Sequence, residues 1–269
     1  MSNSLTQAPS DVTVRWLNPV GFDAYDAPIG DLLARIKQPG TRVETVSFDM
    51  PLTPTHLEYR SYEALMTQRI VECARDCGKT GIDAMVIGCF YDPALEEARE
   101  ISGACVVTAP CIASLSVVTQ LANKFSVIVG RHKWIEQMSD RVRRYGFQDR
   151  LASFRSLEMG VDDFQRDHKK TRARIIEEAQ RAVEQDKAEA IVLGCTIEFG
   201  FFEEVQRAVG VPVIDAVVAS FKHAEHLAQM KKQFNWGPSR VWSCEPPPEE
   251  ELQRFGLYQS APTLHKLAF

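Results

Sequence analysis

The chain has 269 residues, with 31 Lys and Arg against 36 Asp and Glu and a formal net charge of −5. Hydrophobic residues at 45% and charged ones at 25% are ordinary globular usage, which excludes extended disorder, and the acidic balance leaves no broad basic footprint for nucleic acid. The opening segment MSNSLTQAPSD has neither a basic nor an apolar leader region, and no later stretch approaches the roughly 18 apolar residues of a membrane span. The expectation is a soluble, cytoplasmic protein acting on a small molecule, with no nucleic-acid or membrane partner.

In chain order, an apolar strand over 12–17 runs into Asn18 and Pro19, and a helix over 28–36 leads to a strand over 42–48. A helix over 61–77 carries Cys73 and Cys77 four residues apart; no complementary Cys or His pair follows at zinc-site spacing, so both read as packing residues. A strand over 84–87 ends in Gly88-Cys89. Asp92 and Pro93 then read as N-cap and N1 of a helix over 93–101. A strand over 106–108 precedes a helix over 114–121, with Ser114 as its cap or as a donor to a ligand. A strand over 125–129 meets Gly130, Arg131, His132 and Lys133, where a helix over 133–144 begins; its Arg141, Arg143 and Arg144 read as a solvated face. A strand over 152–157, a helix over 164–185 and a strand over 190–193 lead to Gly194-Cys195. A helix over 202–209, a strand over 213–214 and a helix over 217–232 complete the pattern. From Asn235 the chain becomes rich in Pro and aromatic residues and reads as an arm on a neighbour or subunit, or as a lid, the arm being preferred.

Two stretches repeat. RIVECARDCGKTGIDAMVIGC, ending at Cys89, falls on RIIEEAQRAVEQDKAEAIVLGC, ending at Cys195, and LEEAREISGACVVTAP from Leu95 falls on FEEVQRAVGVPVIDAV from Phe202. Each half reads helix, strand, Gly-Cys, helix, strand. Strands alternating with helices imply right-handed βαβ units and parallel sheets. The expected fold is therefore α/β, with two pseudosymmetric flavodoxin- or Rossmann-like subdomains and the active site between them. The expected divisions are 11–113 with 215–234, then 114–214, then a C-terminal extension over 235–269. Ligands of open parallel sheets bind beyond the carboxyl ends of the strands, which is where Cys89 and Cys195 stand.

Seven cysteines, an odd set scattered through apolar segments, fit reduced thiols. A thiol between a strand end and a helix start lies where backbone N–H groups favour the thiolate, so both pKa values are expected to be lowered. Two opposed cysteines, one thiolate and one thiol, supply what inversion of a carbon stereocentre needs: a base on one face and an acid on the other. The intermediate enolate then requires donors such as the N–H groups of the Gly-Cys turns. Asn18 reads either as a ligand for a substrate carbonyl or as a local turn residue. No phosphate-binding loop, dinucleotide fingerprint or metal motif competes.

These residues together resemble the aspartate/glutamate/hydantoin racemase superfamily, and within it the hydantoin and allantoin racemases. The likeness covers approximately 12–228 and rests on LNP, GCFYDPALEEARE, FSVIVG with IEQMSDRVRRYG, EAIVLGC and GVPVIDAVVAS. It implies cofactor-independent proton transfer by Cys89 and Cys195 on a 5-substituted hydantoin or related ureide, in a homo-oligomer, with Asn18, Phe90, Ser114, Thr196 and Ile197 lining the pocket. Gly130-Arg131-His132-Lys133 and Cys195-Thr196-Ile197-Glu198 depart from the hydantoin racemase pattern. Arg131, His132 and Lys133 read as an anion subsite or a solvated loop, the loop being preferred. The competing readings are a cis–trans isomerase or decarboxylase of the same superfamily, a non-catalytic ligand-binding protein, and a thiol redox pair.

Overall fold

The computed structural model describes residues 11–269. Within them the strands are β1 (Val12–Asn18), β2 (Thr41–Phe48), β3 (Ala84–Ile87), β4 (Val106–Thr108), β5 (Phe125–Val129), β6 (Leu151–Ser156), β7 (Ala190–Leu193), β8 (Val213–Ile214) and β9 (Leu264–Ala268). The helices are α1 (Asp26–Ile36), α2 (Arg60–Thr80), α3 (Leu95–Ile101), α4 (Pro110–Leu121), α5 (Ile135–Arg144), α6 (His168–Glu184), α7 (Phe202–Val209), α8 (Ala216–Phe234) and α9 (Glu249–Arg254).

The strands form two sheets. The first has the order β4-β3-β1-β2-β9, parallel except for β9, which runs antiparallel to β2 along its edge. The second has the order β6-β5-β7-β8 and is parallel throughout. Every residue of β3, β5 and β7 is buried, as strands covered by helices on both faces require. Val217, Phe221, Ala224 and Ala228 of α8 pack on Val12, Val14 and Trp16 of the first sheet, while Cys111, Leu115 and Val118 of α4 pack into the core of the second. The chain is thus an α/β protein of two sheets with helices crossing between them.

All eight strands expected from the sequence are present; several helix starts differ. Asp92 and Ala94 take φ +48° and +53°, outside the helical region, so α3 begins at Leu95 and Asp92 does not cap it. Instead the Asp92 carboxylate accepts from the Cys111 and Ile112 N–H groups at 2.8 and 2.9 Å. These open α4, whose own N-cap, Ala109, has no side-chain acceptor. With Pro110 at N1, α4 starts four residues before Ser114, which is interior to the helix and caps nothing. The expected helix over 164–185 begins four residues later, because Asp167 accepts from Lys170 N–H and so starts α6 at His168.

The C-terminal extension wraps its own chain rather than extending away from it. Arg240 donates to the Glu100 carbonyl and Ser102 Oγ, Arg75 on α2 binds Glu249 at 2.7 Å, and Leu252 is buried among residues of α2 and α3. β9 then pairs with β2 over five residues.

Candidate active site

Two glycines explain why both central strands end abruptly. Gly88 N–H donates to the Leu17 carbonyl and Gly194 N–H to the Ile128 carbonyl, each at 2.7 Å. A Cβ at Gly88 would stand 2.7 Å from the Leu17 oxygen, and one at Gly194 2.6 Å from the Ile128 oxygen, so neither place admits a side chain. The next residue turns out of each sheet: Asp92 N–H donates to the Cys89 carbonyl at 2.9 Å, and Glu198 N–H to the Cys195 carbonyl at 3.1 Å. The two thiols therefore stand over the carboxyl ends of β3 and β7 in matching turns, and both line one cleft between the sheets.

That cleft encloses about 620 Å3, its mouth included, and its walls are mainly apolar and aromatic, with Leu57, Phe90, Tyr91, Trp134, Met138 and Val161 among them. Two cross-links hold the walls together. Thr196 Oγ1 donates to the Gly88 carbonyl at 3.0 Å, tying one cysteine turn to the other. Glu58, in the segment between β2 and α2, accepts from Arg131 at 2.9 Å and from Val161 N–H at 2.9 Å.

The electrostatics reverse one expectation. Burial pushes the Cys89 thiol up to about 12, against the backbone N–H of Tyr91, which favours the thiolate. Burial also pushes Cys195 well above its ordinary value, and the Glu198 carboxyl adds to the rise. Backbone donors at the turns are present, but desolvation of a thiolate outweighs them. The free cleft thus keeps both thiols protonated, which suits the partner that returns a proton; the partner that removes one must be deprotonated before it acts.

Buried carboxyls stand three residues beyond each cysteine. Asp92 is fully buried with a pKa raised by burial to about 6, although three donors, Cys111 and Ile112 N–H and Tyr145 Oη, favour its charge. Glu198 is also fully buried, raised well above its ordinary value by burial; one oxygen accepts from Cys195 N–H at 3.2 Å and the other has no partner among the described residues. The role of Asp92 was not legible from the sequence, because its partners lie 19, 20 and 53 residues away.

Residues 31–224 match the Asp/Glu/hydantoin racemase family. The chain belongs to that family. It is 34% identical over 221 residues to a hydantoin racemase of Pseudomonas sp. (strain NS671), covering 81% of this chain and 87% of that one. It is 30% identical over 236 residues to a hydantoin racemase of Paenarthrobacter aurescens, covering 87% and 97%. Among solved structures it resembles the allantoin racemase from Klebsiella pneumoniae, with a TM-score of 0.79 and 26% identity over 88% of this chain and 94% of that one.

This racemase family member brings most of the sequence-predicted site residues together. Cys89, Cys195, Asn18, Phe90, Thr196 and Ile197 all line the cleft. Ser114 does not: it is fully buried inside α4, and its hydroxyl has no hydrogen-bond partner among the described residues. Arg131 is engaged by Glu58 rather than forming an anion subsite, Lys133 lies 5.1 Å from the centre of the Tyr59 ring, and His132 is exposed. Of the three arginines on α5, Arg143 and Arg144 are solvated, whereas Arg141 is mostly buried between Glu63 and Glu96. Cys73 and Cys77 are fully buried on α2 against the Arg15 guanidinium, which is 3.4 Å from Cys77 Sγ, and they belong to the packing of the first sheet. Among the described residues, no group of three or more His, Cys, Asp or Glu is arranged to hold a metal ion. Among the described residues, no helix is long and apolar enough to cross a membrane.

Proposed function

We propose that this racemase interconverts the enantiomers of a 5-substituted hydantoin or related ureide, with Cys89 and Cys195 on opposite faces of the ring carbon. One thiolate removes the proton from that carbon, electrons move into the adjacent carbonyl to give an enolate, and the opposite thiol returns a proton to the other face; the two exchange roles in the reverse direction. The observation that carries this reading is the presence of both thiols, each from a different sheet and each in the same Gly-Cys turn, in one cleft. Backbone N–H groups at the turns and Asn18 are the donors for the enolate oxygen. Phe90 and Ile197 contribute apolar walls, and Thr196 holds the turns at their spacing. The apolar lining favours a ring bearing an apolar or aromatic substituent over one bearing a ureido group, because the latter would lose its water without replacement partners.

The two halves are read as pseudosymmetric subdomains with flavodoxin-like order. In support, β2-β1-β3-β4 and β6-β5-β7-β8 follow one sequence of positions. The packing of α8 on the first sheet supports grouping 215–234 with 11–113, whereas the division at 113/114 falls inside α4 (Pro110–Leu121), whose Cys111, Leu115 and Val118 pack into the second sheet, so that division is proposed at the start of α4 instead. A homo-oligomer in the cytoplasm completes the proposal. The test follows optical rotation of pure enantiomers of 5-benzylhydantoin, 5-isopropylhydantoin and allantoin at a pH where spontaneous racemisation is slow. Enzyme-dependent loss of rotation, fastest with the benzyl compound, is expected; rates equal to the uncatalysed ones for all three would refute the assignment.

A further inference from the structure

Asn18 stands at the end of β1 in the cleft wall, and the chemistry of its neighbours leaves its amide one orientation. Trp16 Nε1 lies 2.8 Å from Asn18 Oδ1; an indole N–H only donates, so the atom facing it is the carbonyl oxygen. The amide nitrogen is then turned to Asp26 Oδ1 at 2.5 Å, and the other Asp26 oxygen accepts from Ser47 Oγ at 2.7 Å. Trp16, Asn18, Asp26 and Ser47 are all buried and come from β1, α1 and β2.

Asp26 opens α1, yet its carboxylate oxygens accept from Asn18 and Ser47 and not from the backbone of that helix, whose N-cap is Tyr25. A buried carboxylate held only by neutral donors is an expensive way to fill space. What it achieves is local: it takes one of the two Nδ2 protons of Asn18, and among the described residues no other acceptor is recorded for the second.

We infer that Asp26 is a positioning residue, which with Trp16 fixes Asn18 so that its remaining Nδ2–H meets the substrate carbonyl oxygen beside the reacting carbon. The inference rests on the proposed proton-transfer reading and names the side chain that holds the enolate, together with the one that orients it. The role is orientation rather than charge. In Asp26→Asn, the new amide oxygen still accepts from Asn18, and its NH2 meets Ser47 Oγ, which accepts as readily as it donates.

The test is a double-mutant cycle on a racemised hydantoin, joined to NMR of the side-chain amides of 15N-labelled protein. Asp26→Ala is expected to lower kcat by about 10- to 100-fold, as loss or misplacement of an oxyanion donor does, with KM changed less than about threefold. Asp26→Asn is expected to stay within about threefold of wild type. In an Asn18→Ala background, Asp26→Ala is expected to add nothing, because it acts through Asn18. The two Asn18 Nδ2 protons are expected to be well separated in chemical shift and slow to exchange in wild type, and to converge and exchange fast in Asp26→Ala. Additive losses in the cycle, or full activity in Asp26→Ala, would overturn the inference. If wild type leaves every hydantoin unchanged, the proposed function fails by itself and the amide protons decide the inference: unaltered Asn18 resonances in Asp26→Ala overturn it.

Discussion

Asp92 ties the Cys89 turn to the start of α4, and its removal should produce a stability change that depends on pH in a definite sense. Asp92→Ala leaves the buried Cys111 N–H and the half-buried Ile112 N–H and Tyr145 hydroxyl without an acceptor. An orphaned buried donor costs about 1–3 kcal/mol, and the two half-buried donors less because water reaches them, so the three together oppose folding by roughly 3–6 kcal/mol. Against this, the variant no longer buries a charge. Raising the carboxyl from its ordinary 3.8 to about 6 corresponds to about 3 kcal/mol of lost stability once it is ionised. Because the folded-state value is the higher one, the folded protein binds the proton more tightly. The contribution is present in full below pH ~4 and is lost as pH rises through about 6. The gap between wild type and Asp92→Ala should therefore be modest at pH 7.5 and widen by about 2 kcal/mol by pH 4.5. At roughly 2–4 °C per kcal/mol for a chain of this size, that is a widening of about 4–8 °C in Tm. Differential scanning calorimetry at several pH values reads it, with Asp92→Asn as the variant that keeps one acceptor and does not titrate. A gap that stays constant or narrows on acidification would refute the reasoning.

The Thr196 hydroxyl is the cross-link between the two cysteine turns, so Thr196→Val should lower kcat about tenfold through lost spacing while Thr196→Ser stays near wild type; steady-state kinetics decide, and equal activity of both variants would contradict the assigned role. Arg131→Ala takes a half-exposed guanidinium from Glu58, which keeps its bond from Val161 N–H, so the variant should lose about 1 kcal/mol of stability, with Glu58→Gln restoring much of it in the double variant; a Tm unchanged in Arg131→Ala would show the pair to be dispensable. Deletion of residues 235–269 uncovers the edge of β2 and the site of the buried Leu252. The loss of that one side chain from the core, about 2 kcal/mol, should lower Tm by at least roughly 4 °C, and the bare edge should promote association; a truncated chain that melts with the intact one and remains as soluble would contradict this.

The two Gly-Cys turns were readable because a fully buried strand needs an unbroken apolar run, and a residue whose Cβ would strike the neighbouring carbonyl must be glycine. AMVIGC and AIVLGC carry both signals. Helix starts were less legible. Asp92-Pro93 has the composition of an N-cap and N1 pair, but the positive φ at Asp92 and Ala94 turns the carboxylate to a helix start 18 residues later, and no local pattern records so distant a partner. β9 was hidden because LHKLA sits on the sheet edge with most residues exposed, so it lacks the apolar alternation that marks a half-buried strand. The thiol pKa values were misjudged for a related reason: the turn that supplies N–H donors is visible in sequence, whereas the aromatic walls that desolvate the sulfurs come from several separate segments. Arg141 differs from Arg143 and Arg144 only in which side of α5 faces α2 and α3, a matter of tertiary packing.

The most direct test of two-base proton transfer is proton NMR in D2O on each pure enantiomer of a racemised hydantoin, with wild type, Cys89→Ala and Cys195→Ala. Wild type should exchange the proton of the ring carbon in both enantiomers with inversion, at equal kcat/KM in the two directions, since enantiomers have equal free energy. Each variant should lose inversion by at least about 10³-fold, and each should retain slow exchange of only one enantiomer, the two variants favouring opposite hands because one base is left on one face. Inversion within about tenfold of wild type in either variant, or residual exchange of the same enantiomer in both, would contradict the account.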